Sequence, residues 1–252
     1  MKQSQFYYLL RRGLFSAGSA IIKNGLVMFN KFTTAGLNFP AQGSAEFNGT
    51  SDFIQTNDAF SHTNHTIAAW VYNDTTSGSQ IVFDNRDTGD DGVRILGSSG
   101  TFFYQLNASD RVFTMPTAGN WYFITATYDG SIQKLYLDGS LQTSVNTSQT
   151  ISTTTNALIG RQSYSAVGYM NGNLANVAIW NRALSSDEIN SVMWKSYEGL
   201  EGAESNGLQA WYSLDDISSP AASLANMEQL ATDKNATIEN KAAITAAINA
   251  LS

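Results

Sequence analysis

Residues 160–173 bring together the side chains that a sugar-binding loop requires. The segment reads GRQSYSAVGYMNGN and combines aromatic rings with arginine and amide groups. Glycan sites in proteins use an exposed aromatic ring that stacks on a sugar face, and polar groups on loops bind the hydroxyl groups. Two alternatives stay open, since the aromatic residues could instead pack in the core or at a sheet edge, and a glycan could instead occupy a concave sheet face. We predict a glycan-binding site formed by Arg161, Gln162, Tyr164, Tyr169 and Asn171.

A second cluster of chemistry-bearing residues lies in the loop FDNRDTGDDG, residues 83–92. Calcium prefers several oxygen ligands on an adaptable backbone, which acidic residues between glycines can supply. The spacing is not that of an EF-hand loop, and the alternative is a solvated acidic loop. We expect no other cofactor, and we place calcium, if it binds, in this loop. The candidate ligands are Asp84, Asp87, Asp90 and Asp91.

The sequence shows no catalytic constellation. A glycosidase needs two carboxylates that face one cleft from the same strand or surface, and no strand pattern here provides such a pair. Both histidines, His62 and His65, fall in a polar segment without a nucleophile pattern, and we expect both on the surface. With no cysteine in the chain, a thiolate zinc site and a cysteine nucleophile are excluded. We therefore expect a protein that is not an enzyme.

Short runs of β-branched and aromatic residues separated by turn signals predict an antiparallel β sandwich. The clearest strands are residues 66–72, 121–128 and 132–137, and the Asp-Gly pairs at 129–130 and 138–139 are typical of tight hairpin turns. Alternation makes both faces of residues 121–128 partly apolar, which predicts a central strand rather than an edge strand.

Residues 171–189, NGNLANVAIWNRALSSDEI, predict a closing strand followed by a helix. Ser185 and Glu188 have the spacing of a capping box, in which each side chain binds the backbone amide of the other residue. A helical stripe then covers the rim of the domain. Its members are Ile189, Val192, Met193 and Tyr197.

Residues 44–197 resemble a laminin G-like, concanavalin A-like jelly roll. Five segments match in family order: AEFNGTSDFIQ, HTIAAWVYND, GNWYFITATYDGSIQKLYLDG, ALIGR and GNLANVAIWNRALSSDEI. The resemblance implies an all-β fold, a two-sheet antiparallel jelly-roll sandwich. It does not choose among lectins, adhesins, glycan-binding modules, glycosidases and virion proteins, because all of these use the same sandwich.

The resemblance also bears on calcium. Asn48 and Asn176 stand where relatives often have acids that help to hold a calcium ion. An amide oxygen brings no charge, so the resemblance implies a weak calcium site there or none. The other interpretation is that both asparagines bind turn backbone.

The two ends of the chain differ from its middle, and we expect three parts: a basic aromatic arm at residues 1–41, the lectin-like domain at 42–200, and a strand with a helical tail at 201–252. Residues 1–45 hold five basic and no acidic residues, whereas the remainder holds 9 basic and 21 acidic residues. Such an acidic body argues against nucleic acid as a partner of the β domain. Arg11 and Arg12 interrupt the first apolar run, which argues against a signal peptide. No stretch reaches the roughly 18 apolar residues of a membrane span.

The tail predicts a further strand at residues 206–217 and two helices with narrow apolar seams. Such seams pack on another surface, so we expect a homo-oligomer or a larger scaffold held through residues 1–41 and 219–252. We expect a non-catalytic surface module on a virion or an extracellular surface, a bacteriophage decoration or fibre protein that binds a glycan or host-surface polysaccharide. The alternative is a secreted bacterial carbohydrate-active enzyme or its carbohydrate-binding accessory module.

Overall fold

The computed structural model describes residues 44–107, 109–114 and 118–214. The arm expected at residues 1–41 and the helices expected from residue 219 onward lie outside the described residues. Within the described part, no helix has the length and apolar character that a membrane span requires.

Two antiparallel sheets form the domain. The first has seven strands in the order β1-β12-β3-β8-β9-β10, and β13 also pairs with β12. Its strands are β1 (Ala45–Asn48), β3 (His65–Asn73), β8 (Trp121–Tyr128), β9 (Ile132–Leu137), β10 (Ser140–Asn146), β12 (Asn171–Trp180) and β13 (Leu208–Tyr212).

The second sheet has six strands in the order β2-β11-β4-β5-β6-β7. Strands distant in sequence are neighbours in both sheets, as β1 and β12 are, and this is the pairing of a jelly roll rather than of a simple meander. The expected all-β, two-sheet antiparallel jelly-roll fold is therefore confirmed. The strands are β2 (Ile54–Gln55), β4 (Ser79–Asp84), β5 (Val93–Ser98), β6 (Thr101–Leu106), β7 (Ser109–Thr114) and β11 (Leu158–Ile159).

The main core lies between the two sheets, where inward side chains of both are buried, among them Val71, Phe83 and Ile124. A second apolar cluster covers the outer face of the seven-stranded sheet. Strand β8 lies between β3 and β9 and sends Ile124 into the first cluster and Phe123 into the second. The prediction of a central strand with two apolar faces is confirmed, because this sheet is covered on both sides.

The predicted hairpin turns differ in their backbone. At the β9–β10 turn, Asp138 and Gly139 have φ values of 49° and 74°, the two positive values that a tight hairpin requires. At the β8–β9 turn only Gly130 has a positive φ, 92°. There the Asp129 carboxylate accepts the amide protons of Ser131 and Ile132 at 2.9 and 2.7 Å, so a side chain stabilises the turn.

Helix α1 (Ser186–Val192) begins with the predicted capping box. The Ser185 hydroxyl accepts from the Glu188 amide at 3.2 Å, and the Glu188 carboxylate accepts from the Ser185 amide at 2.8 Å. Hydrogen bonds from Arg182 hold the pKa of Glu188 down to about 2. Ile189 and Val192 are buried, but the helix ends at Val192. Tyr197 starts a separate 3₁₀ turn, so the predicted stripe does not run through one helix.

The seven-stranded sheet extends past residue 200, where we expected the β domain to end. Strand β13 pairs with the second half of β12, and Trp211 on β13 donates its indole N–H to Asn176 Oδ1 at 3.2 Å. Asn176 lies in a bulge of β12 with a φ of 48°. The strand that the tail pattern predicts is thus an integral strand of this sheet.

Candidate functional site

A cleft of about 370 Å³ opens where the end of β1, the β3–β4 loop and the chain that enters β12 meet. Its wall consists of small, amide and hydroxyl side chains with one aromatic ring and carries no charged group. The lining residues are Asn48, Gly49, Thr50, Thr75, Ser77, Gly78, Ser79, Gln80, Gly168, Tyr169 and Asn171.

The buried side chain of Gln80 holds two walls of this cleft together. Its Nε2 donates to the carbonyl oxygens of Thr75 and Ser77 at 2.7 and 3.3 Å, and its Oε1 accepts from the backbone N–H of Asn171 at 3.4 Å. The Asp74 amide also donates to the Asn171 carbonyl, at 3.1 Å. One amide side chain therefore fixes the β3–β4 loop against the start of β12.

Asn48 shapes the third wall. Its Oδ1 accepts the backbone N–H groups of Thr50 and Ser51 at 2.9 Å each, and its Nδ2 donates to the Ser51 hydroxyl at 2.8 Å. The next residue, Gly49, has a φ of 75°, and a Cβ there would lie 3.0 Å from the Cβ of Asn171. Asn48 thus binds turn backbone, and glycine lets that turn approach Asn171 closely.

Tyr169 and Asn171 are the lining residues whose polar side-chain groups are free to form hydrogen bonds with a ligand. Within the described residues, neither the Tyr169 hydroxyl nor the Asn171 side-chain amide makes a hydrogen bond, whereas the other polar side chains of the wall are engaged with their neighbours. A half-buried ring and a free amide on one wall can stack on a sugar and bind its hydroxyl groups.

The structure places the remaining predicted glycan ligands differently. Arg161 lies beside the cleft, with its guanidinium carbon 5.9 Å from the centre of the Tyr169 ring. Gln162 is buried at 9% exposure. Tyr164 is exposed and is not among the lining residues, and its hydroxyl accepts from Arg86 at 3.4 Å. Of the five predicted residues, Tyr169 and Asn171 line the cleft, Arg161 adjoins it, and the other two do not contribute to its wall.

Asp84 and Asp90, two of the predicted calcium ligands, both bind Arg86. The Asp84 carboxylate is buried, lies 3.6 Å from Arg86 Nε, and accepts from the amides of Arg86 and Ser163 at 2.9 and 3.4 Å. Burial raises the pKa of Asp84. Asp90 accepts from Arg86 Nη1 at 2.8 Å. An arginine thus occupies the position between carboxylates that a cation would need.

Asp87 and Asp91 have partners of their own. The Asp87 carboxylate accepts the amides of Gly89 and Asp91 at 2.8 and 3.0 Å, and the Asp91 carboxylate binds the amide and hydroxyl of Ser152. The structure therefore does not bring the four carboxylates together. Over the described ranges of the chain, no group of three or more histidine or acidic side chains is placed to hold a metal ion.

The two asparagines that the resemblance singled out for calcium, Asn48 and Asn176, are also apart. Asn48 pairs with Asn171 on β12, and Asn176 lies five positions further along that strand. At about 3.3 Å per residue the separation is roughly 17 Å, too far to share one ion. Asn48 does bind turn backbone, whereas Asn176 accepts from the Trp211 indole in a strand bulge.

The expectation that His65 lies on the surface is wrong. His65 is the first residue of β3, and its side chain is buried in the core. Its Nε2 lies 2.7 Å from the Tyr104 hydroxyl, and its Nδ1 lies 3.0 Å from the carbonyl oxygens of both His62 and Thr63. Burial lowers the pKa of His65 to about 4. The ring therefore serves as a neutral hydrogen-bonding residue inside the sandwich.

Residues 48–190, more than half of the chain, match a family described as the concanavalin A-like lectin/glucanases superfamily. The chain belongs to this superfamily. The match spans the strands and loops that build the cleft, so the cleft is part of the superfamily fold rather than of an added segment. No curated protein sequence matches the chain.

Two solved structures share the lectin-like fold of this superfamily member. A candidate carbohydrate binding protein from Bacteroides ovatus has a TM-score of 0.57 and 18% sequence identity, over 69% of this chain and 51% of that one. The heptameric SAP-like pentraxin of Limulus polyphemus has a TM-score of 0.53 and 18% identity, over 71% of this chain and 90% of that one. This chain spans about half the length of the Bacteroides protein. Likeness at these identities establishes the fold alone.

The sequence reasoning missed two walls of the cleft. The β3–β4 loop and the first two residues of β4, residues 74–80, read DTTSGSQ, and their dense hydroxyl side chains around a glycine are the signal that could have indicated a polar binding loop. Asn48 and Thr50 contribute the other wall from a turn that we considered only for calcium.

Proposed function

We propose that this protein is a non-catalytic, carbohydrate-binding lectin-like module that binds a glycan in the cleft between β1, the β3–β4 loop and β12. The observation that carries the proposal is that the Tyr169 hydroxyl and the Asn171 side-chain amide, on one wall of the cleft, make no hydrogen bond with the described residues, and that the Tyr169 ring lies beside them.

A binding role without hydrolysis is supported by the composition of the cleft. Among the described residues, the lining contains no aspartate, glutamate or histidine, so the described wall offers no carboxyl group as general acid or nucleophile. Hydrolysis of a glycosidic bond by the usual route needs two carboxyl groups on either side of that bond. Hydrogen bonding and stacking are the chemistry that these residues can perform.

Glycan binding is tested with the full chain on a glycan array, followed by calorimetry with the best ligand. Tyr169→Ala should weaken binding about tenfold or more, the loss expected for a ring that stacks on a sugar. Asn171→Ala should weaken it as well. Tyr164→Ala is the matched control, because it removes an exposed tyrosine that lies outside the cleft. Equal losses in Tyr164→Ala and Tyr169→Ala, or no glycan bound at all, would refute the proposal.

We further propose that the module is displayed on a bacteriophage virion or an extracellular surface, as a decoration or fibre-type protein. The support is the sequence alone: a basic segment, residues 1–45, precedes an acidic remainder. Unlike charges of this kind favour docking of the arm on another acidic subunit. A homo-oligomer or a larger scaffold, held through residues 1–41 and 219–252, follows from this proposal.

Light scattering tests the assembly. The full chain should have a larger mass per particle than its subunit, and a chain reduced to residues 44–214 should be monomeric. The reduced chain keeps residues 208–212, because β13 belongs to the sheet. Monomers in both samples, with no partner protein bound to the full chain, would contradict assembly through the ends.

A further inference from the structure

We propose that the cleft takes acidic glycans and that Arg161 binds the carboxylate or sulfate group of the sugar that packs against Tyr169. This inference names the ligand class of the proposed glycan site and therefore rests on the proposed function. It goes beyond that function because the wall of the cleft is itself uncharged and would accept neutral sugars equally well.

Arg161 differs from the other arginines whose side chains the structure describes. Arg86 and Arg182 form ion pairs with carboxylates, and Arg94 donates to the amide oxygen of Gln105. Arg161 makes no hydrogen bond and no ion pair within the described residues, and its Nε is buried without an acceptor. A guanidinium that lacks a counter-ion keeps its charge and most of its donors for a ligand.

Two aromatic rings hold this free guanidinium in place. Its central carbon lies 3.9 Å from the centre of the Phe53 ring and 5.9 Å from the centre of the Tyr169 ring. Stacking on a ring uses the face of the guanidinium, and because Nε is buried, the edge formed by Nη1 and Nη2 is the one left to form paired hydrogen bonds with an anion. The side chain is thus oriented before a ligand arrives.

Tyr169 connects this cation to the cleft. Its ring lines the cleft and also lies next to Arg161, so a sugar that packs against the ring brings its substituents within reach of the guanidinium. The Asn171 amide on the same wall is free to bind the hydroxyl groups of that sugar. Ring, amide and cation together fit a sugar that carries both hydroxyl groups and an anionic group.

Because the chain as a whole is acidic, binding of an acidic glycan requires a local positive charge at the site. The net charge is −7 at pH 7, so the general field of the protein repels an acidic polymer. Exposed charges further than about 8 Å away are largely screened at physiological salt, which leaves close pairing as the attractive contribution. Binding of an acidic glycan should therefore depend on Arg161 rather than on overall charge.

The test uses the full chain and a glycan array with neutral, carboxylated and sulfated glycans, followed by calorimetry. The wild-type chain should prefer acidic glycans, and separate carboxylated and sulfated groups of probes show which anion it takes. Reduction of the carboxyl group of a bound uronic acid glycan to the alcohol, or desulfation of a bound sulfated glycan, should weaken binding about ten- to a hundredfold. This comparison requires no variant and so does not depend on the folding of one.

The variants test Arg161 itself. Arg161→Gln should weaken binding of the acidic glycan about ten- to a hundredfold and weaken binding of a neutral glycan much less. Arg161→Lys should restore part of the affinity, because lysine keeps the charge but lacks the planar fork. Lys134→Gln is the control of equal charge change, since Lys134 lies on β9 and does not line the cleft.

The outcomes separate this inference from the proposed function. Neutral glycans bound as tightly as their acidic counterparts, or Arg161→Gln and Lys134→Gln with equal effects, would overturn the role of Arg161 and leave the glycan site standing. Binding to no glycan on the array would overturn both. A preference for acidic glycans that Arg161→Gln abolishes and Lys134→Gln preserves supports the inference.

Discussion

Acidification should destabilise the folded domain through His65, beginning as the pH falls below about 6.5. The pKa of this histidine is lowered from 6.5 to about 4 because its ring is buried. The unfolded chain therefore takes up a proton as the pH falls through 6.5, whereas the folded chain resists the proton until about pH 4. Stability that is complete above pH 6.5 is lost as the pH falls, since the unfolded state binds more protons.

The expected loss follows from the two pKa values. The free energy of unfolding should decrease by about 1.4 kcal/mol at pH 5.5 and by about 3 kcal/mol at pH 4, relative to its value above pH 7. Glu188, whose pKa is held at about 2, and Glu204, whose pKa is also lowered, add their own losses only below about pH 4.5. Asp84 and Asp138 act in the opposite direction, because burial raises their pKa values and the folded state takes up their protons first. The difference in slope between the wild-type chain and His65→Gln therefore isolates the histidine.

The hydrogen bonds of His65 explain the resistance to protonation. Nδ1 faces two carbonyl oxygens, which only accept, so Nδ1 carries the proton of the neutral ring. Nε2 must then accept from the Tyr104 hydroxyl at 2.7 Å. Protonation of Nε2 would place its N–H against the O–H of Tyr104, so the hydroxyl would have to rotate away. Burial already disfavours the positive charge of the protonated ring.

Urea unfolding at pH 7, 6, 5.5 and 5 measures this effect. His65→Gln should be less stable at pH 7, because it loses the packing of the ring, but its stability should no longer fall with pH over this interval. His62→Gln is the control, since the side chain of His62 is only half-buried, and it should keep the wild-type slope. A flat profile for the wild-type chain, or the same slope in His65→Gln, would refute the reasoning.

Three further predictions concern catalysis, metal and the helix cap. The full chain should release no reducing sugar from the glycan that it binds; release that is abolished by one Asp→Ala or Glu→Ala change would show an enzyme instead. Chelation of calcium should leave the melting temperature unchanged, because Arg86 and backbone groups already bind the carboxylates of the acidic loop. A site saturated a hundredfold above its Kd would add about 2.7 kcal/mol, so a fall of several degrees on chelation that is absent in Asp87→Ala would place calcium in the acidic loop. Ser185→Ala should cost about 1 kcal/mol in urea unfolding through loss of the helix cap, whereas Ser186→Ala, one residue later, should cost less; equal costs would argue against the cap.

The sequence alone was sufficient for features that depend on neighbouring residues. The capping box of Ser185 and Glu188 and the turn at Asp138 and Gly139 join residues at most three positions apart, and the structure shows both. The alternation of residues 121–128 indicated a strand buried on both faces, because a strand has a period of two and each face records its own surroundings. The patterning predicted an antiparallel sandwich, and the resemblance of five ordered segments to the laminin G-like, concanavalin A-like family indicated the jelly roll.

The tertiary structure decided which polar side chains meet and which lose water. Gln80 joins residues 75, 77 and 171, and Arg86 draws together Asp84, Asp90 and Tyr164. The contacts of Gln80 with Asn171 and of Arg86 with Tyr164 join residues 91 and 78 positions apart, so local spacing did not reveal that three segments form one cleft. The ion pairs of Arg86 with Asp84 and Asp90 are local, and the pattern of acidic residues considered for calcium did not take this arginine into account. His65 is a similar case, because its polar neighbours in sequence suggested solvent, whereas the sheet register directs its ring into the core beside Tyr104. Burial of a single polar side chain is decided by the packed sheets, and the polar residues beside His65 in sequence gave no indication of it.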